Sequence, residues 1–142
     1  MSHNSMNISK LAAMAISVIA AISLTSCYEN LEDRAEREAR EYTKKYCPTP
    51  PQNDVITDSI VFDKKTKTQI HYLRFTGIID NEEAVKEYSK TLKEGMTETI
   101  RNDAKMEKYK EAGFSFRYVC RSAKNPKTLL LDMNLGPKDY KK

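Results

Sequence analysis

The chain has 142 residues, 39% hydrophobic and 31% charged, with a formal net charge of +4, which suits one modest domain. Four Gly and five Pro exclude a collagen-like or low-complexity chain, and three Cys exclude a disulfide-dense scaffold. Two His and no Trp leave little for His-rich metal chemistry.

Residues 1–26 contain no acid and one Lys or Arg, Lys10. Behind it, Leu11–Leu24 runs uncharged for 14 residues. As a helix that run spans roughly 21 Å, short of the ~30 Å hydrocarbon core of a bilayer. It fits the apolar stretch of a signal peptide; the other reading is a buried core helix. Leu24, Thr25, Ser26 and Cys27 close the run and resemble a bacterial lipobox. In such signal peptides the Cys is acylated and becomes the first residue of the mature chain. Acyl chains contribute about 0.8 kcal/mol per buried CH2, so two or more make a durable anchor. The expected division is therefore a signal peptide over 1–26 and one domain over 27–142, held to the membrane through Cys27. Tyr28 rather than Asp follows the Cys, which in lipoproteins of this kind points to the outer membrane.

Leu31, Ala35, Ala39, Tyr42 and Tyr46 recur at helical spacing and predict a helix over 29–46. Cys47-Pro48 ends it, because a residue before Pro avoids the helical region. Two strands follow, 55–62 and 68–79, rich in Val, Ile, Phe, Tyr and Thr. The polar stretch Asp63–Lys67 joins them, and Gly77 marks either an early end of pairing or a bulge. Asp80 and Glu83 read as a capping box. The helix they open carries Val85, Tyr88, Leu92, Met96 and Ile100 on one stripe, breaks near Asn102-Asp103 and stops at Gly113. Phe114, Phe116, Tyr118 and Cys120 form one face of a third strand; Leu129, Leu131, Met133 and Leu135 form one face of a fourth. Gly136-Pro137 ends the fold, leaving Lys138, Lys141 and Lys142 on a frayed tail, while Lys64, Lys65 and Lys67 sit on a solvated turn.

The order is α-β-β-α-β-β, two helix-plus-hairpin units. It predicts an α+β domain: a four-stranded antiparallel sheet with both helices on one face.

Cys47 and Cys120 remain after Cys27, an even pair in an oxidising envelope. A disulfide between them is expected, contributing about 4 kcal/mol on the chain-entropy argument. The other reading is two separate buried thiols.

Catalytic patterns are absent from the sequence. His71 is the one histidine after residue 26 and lies in a strand as a surface or half-buried side chain; a fold-assembled site around it stays open. The glycines are isolated, so no phosphate-cradling loop forms. No catalytic residue, metal site or cofactor is expected, and an envelope address makes nucleic acid an unlooked-for partner. The aromatics Tyr42, Tyr46, Tyr72, Phe75, Phe114, Phe116 and Tyr118 read as core, with exposed Tyr the better interface candidates.

Three segments carry a family resemblance: Tyr46-Cys47-Pro48, Gly113-Phe114-Ser115-Phe116-Arg117-Tyr118, and Asp139-Tyr140. With them the chain resembles small Bacteroidota outer-membrane lipoproteins with an α+β envelope domain of unknown function. The acids Glu29, Glu32 and Asp33 resemble their surface-export signal; the alternative is the polar face of a helix. The resemblance brings no active site. Together these features predict a non-enzymatic binding or accessory module, anchored at the outer membrane and facing the periplasm or the cell surface, with an envelope protein or glycan as partner. The alternative is an inhibitor or immunity-type lipoprotein that blocks a toxin or hydrolase.

Overall fold

The computed structural model describes residues 29–141. Leu24, Thr25, Ser26 and Cys27 lie outside them.

Helix α1 (Leu31–Tyr46) starts at Asn30, whose side chain accepts from the Asp33 N–H at 2.8 Å. Glu32 and Asp33 in its first turn and Lys44 and Lys45 in its last complement the helix dipole. Strands β1 (Val55–Asp63) and β2 (Thr68–Phe75) form an antiparallel hairpin. Its tip is fastened by Asp63, which accepts from the Lys65 N–H at 2.9 Å and the Thr66 hydroxyl at 3.0 Å. Helix α2 (Glu82–Asn102) is followed by a 3-10 turn (Ala104–Met106) and the short α3 (Glu107–Glu111). Strands β3 (Ser115–Ser122) and β4 (Leu129–Leu135) make the second hairpin, and α4 (Pro137–Tyr140) closes the chain.

The architecture is α+β, a four-stranded sheet in the order β1-β2-β3-β4. Both hairpins are antiparallel, but β2 and β3 run parallel, so the sheet is mixed rather than fully antiparallel. The cause is α2. It carries the chain back along the sheet, so β3 starts at the same end as β2, as any strand-helix-strand crossover requires.

One face of the sheet is covered by the helices. Ile60, Phe62, Leu73, Phe75, Phe116, Tyr118, Cys120, Met133 and Leu135 project into it and meet Ala35 and Ala39 of α1 and Val85, Met96 and Ile100 of α2. Thr43 of α1 covers the outer edge of β1: its hydroxyl donates to the Ile60 carbonyl and accepts from the Ile60 N–H, both at 2.8 Å. Two unpaired backbone groups of an edge strand are thereby satisfied.

Of the two readings of Gly77, the early end of pairing holds: the second strand stops at Phe75 rather than Ile79, because Gly77 turns the chain at φ +58 into a 3-10 turn (Gly77–Ile79). Three expectations are corrected. The helix cap is Asn81, accepting from the Ala84 N–H at 3.1 Å, rather than Asp80; Asp80 instead accepts from the Lys124 N–H at 3.0 Å. Leu129 leaves the apolar face, since a register shift between Cys120 and Arg121 breaks the alternation of β4. The tail is docked rather than frayed: Tyr140 is buried and its hydroxyl donates to the Phe114 carbonyl at 2.6 Å.

Candidate binding surface

Among the described residues, no helix covers the second face of the sheet. Its rows follow from the register: Ser59, Tyr72, Val119 and Asp132 in one, Val61, Ile70, Arg117 and Asn134 in the next. Tyr72 is 39% exposed and Val61 41% exposed; Leu129, displaced by the β4 irregularity, is 45% exposed. Two ion pairs stand among these side chains, with Arg74 in the row of Leu129 and Arg117 in the row of Val61. Arg74 donates through Nε to Asp58 at 2.8 Å and through Nη2 at 2.6 Å. Arg117 holds Asp132 through Nε at 2.8 Å and Nη2 at 2.6 Å, which keeps the Asp132 carboxyl below the usual carboxylate range. Exposed aromatic and aliphatic side chains set among arginines suit a protein-binding surface.

The groups that could carry chemistry lie elsewhere and are locked. His71 is 2% exposed on the covered face, corrected from the surface or half-buried position expected, and its ring stacks on Tyr118 at 4.8 Å. Burial pushes its pKa down to about 4. It is sealed from solvent between the sheet and the helices, so it lines no cleft. Glu38 of α1, 3% exposed, accepts from the Tyr109 hydroxyl at 2.7 Å and from Arg34 Nε at 2.8 Å. This buried carboxylate ties α1 to α3. The sequence signal for it was its place beside Ala39 on the buried stripe of α1, masked by its resemblance to surface i,i+4 pairing.

The expected Cys47–Cys120 disulfide is absent; both thiols are free. Cys120 sits on β3 opposite Leu73 of β2, whose partner on β1 is Thr57. Cys47 follows α1 beyond the outer side of β1, where its neighbours include Thr43 and Asp58. Two strand spacings amount to about 9.6 Å, more than a disulfide can bridge. Burial raises the pKa of both thiols.

A shallow hollow between α2, α3 and α4 is lined by Arg101, Glu107, Lys110 and Tyr140. Its cations already serve the fold: Lys110 donates to the Arg101 carbonyl at 2.8 Å, and Arg101 to the carbonyls of Asp139 and Tyr140. Among the described residues, no three His, Cys, Asp or Glu side chains converge as a metal site. No described helix is long and apolar enough to cross a membrane.

Residues 30–131 match a protein family described as a domain of unknown function, DUF8479. The chain belongs to this family. No curated protein matches the sequence of this DUF8479 member. Three solved structures share its fold. A protein from Pseudomonas aeruginosa, described as secreted, superimposes with a TM-score of 0.60 at 9% identity, over 80% of this chain and 99% of its own. The pilotin EpsS of the Vibrio vulnificus type 2 secretion system gives 0.57 at 14% identity, over 78% and 92%. The type II secretion system pilotin AspS of Vibrio cholerae gives 0.55 at 14% identity, over the same 78% and 92%. At these identities the likeness is one of fold.

Proposed function

We propose that this protein is a lipid-anchored cell-envelope protein that acts without catalysis, holding a protein partner at the outer membrane against the open face of its sheet. The observation that carries the reading is that face, with Val61, Tyr72 and Leu129 exposed among the Arg74–Asp58 and Arg117–Asp132 pairs. The lipobox-like Leu24-Thr25-Ser26-Cys27 behind an apolar run supports the anchor. Two of the structures sharing the fold are pilotins of secretion systems, which agrees with an envelope role.

Two measurements test it. Intact mass of protein purified from its native membranes should show acyl chains on Cys27, and Cys27→Ala should leave an unacylated precursor. A photocrosslinking residue at Tyr72 should give one discrete protein adduct in intact cells, while the same residue at Lys90, on the exposed side of α2, should not. Adducts from position 90 alone would overturn the assignment of the sheet face.

A further inference from the structure

The proposed anchor stands very close to the folded domain. One residue, Tyr28, separates Cys27 from Glu29. Two Cα steps span at most about 7 Å. Glu29 is itself clamped to α1: Arg37 reaches its carboxylate through Nε at 3.0 Å and Nη2 at 2.9 Å. The first turns of α1 are bound in turn to the tip of the first hairpin. Lys64 Nζ lies 2.7 Å from both Asp33 and Glu36, and Lys67 Nζ lies 3.5 Å from Glu32. Exposed pairs of this kind are individually weak. Three of them between two packed elements fix the orientation of the tip relative to the anchor.

We infer that the domain is mounted on the bilayer without a linker, hairpin tip Asp63–Lys67 at the lipid headgroups and strands upright. This rests on the reading of Cys27 as the acylated residue. The tip is suited to a headgroup surface: Lys65 is exposed on it, with a flexible stem that lets its ammonium group reach phosphate oxygens, while Lys64 and Lys67 hold the acids of α1. Helix α1 has 16 residues, so the opposite end stands about 24 Å further out. That outer end consists of Pro48–Asp54, Gly77–Asn81 and Ser122–Lys127, cross-tied by Thr76 N–H to the Asp54 carbonyl at 2.8 Å and Lys124 N–H to Asp80 at 3.0 Å. The open sheet face then stands perpendicular to the membrane, reachable from the side. Lying flat on that face would press the Arg74–Asp58 and Arg117–Asp132 pairs towards the acyl chains, at a desolvation cost.

The chain has no Trp, so single Trp probes report position cleanly. Lys65→Trp, Tyr72→Trp and Lys124→Trp sample the tip, the sheet face and the outer end. The acylated variants, purified from their own membranes, are placed in vesicles of phosphatidylethanolamine and phosphatidylglycerol containing a headgroup-nitroxide lipid. Quenching at position 65 should exceed that at 72, and exceed that at 124 at least threefold. Amine labelling of the wild-type protein should agree, vesicles shielding Lys65 and leaving Lys124 reactive. Strongest quenching at 72 would mean the sheet face lies on the bilayer; equal quenching at all three would mean no fixed orientation. Either result, in protein whose mass shows the acyl chains, overturns the mounting alone. Protein without acyl mass overturns the anchor, and the mounting with it.

Discussion

The burial of His71 makes the stability of this domain depend on pH in a defined direction. The imidazole is sealed between the sheet and the helices, and its pKa falls to about 4. In the unfolded chain it returns to about 6.5. Above the unfolded value both states are neutral and the residue has no pH effect. As pH falls below it, the unfolded chain takes up a proton that the folded protein refuses, so stability declines until the folded pKa is passed. Between neutrality and about pH 5 the loss amounts to about 2 kcal/mol, at 1.36 kcal/mol per pKa unit. The assay is urea unfolding followed by circular dichroism at several pH values across that window, above the range where most carboxylates titrate. His71→Phe keeps a ring against Tyr118 and removes the titration, so its stability should be nearly flat there. The readout is slope, so any constant offset of the variant does not matter. Parallel curves for wild type and His71→Phe would refute the reasoning, since the imidazole would then be solvated or already protonated in the fold.

Tyr109→Phe removes a donor from the buried Glu38 carboxylate and should cost about 1–3 kcal/mol in urea unfolding; a loss below a few tenths would show that water replaces the hydroxyl. Gly77→Ala should be more damaging than Gly113→Ala. Both need positive φ, but a Cβ at Gly77 would stand 2.7 Å from an Asp54 carboxylate oxygen, while one at Gly113 would meet Pro137 Cγ at 3.9 Å. The conformational cost at each is about 1–2 kcal/mol, so a Tm ranking with Gly113→Ala lower would contradict the geometry. Alkylation of the folded protein should modify the half-buried Cys47 before the buried Cys120, and reductant should not change the number of free thiols. Equal labelling rates would mean the β3 strand opens readily.

Much of the fold was legible. The stripes of α1 and α2 and the alternation of β3 appear in the sequence because each element must present one apolar side to the core. Features that depend on one residue's neighbour were not legible. The phase of β4 breaks at a bulge, so Leu129 faces out although it continues the apolar alternation. Glu38 and His71 look like surface residues locally, yet the packing of α1, α3 and the sheet encloses both. The open sheet face was not legible either: Tyr72 and Tyr118 are both strand tyrosines, and only the register assigns them to opposite faces.

By itself, then, the sequence determined the order of elements, the apolar faces and the lipobox-like segment, all carried by local periodicity or contiguous residues. Tertiary structure decided the parallel pairing of β2 with β3, the separation of Cys47 from Cys120 by two strands, and the exposure of one sheet face. Those depend on where a crossover helix returns the chain and which side of the sheet it covers, relations between distant residues that no local pattern encodes.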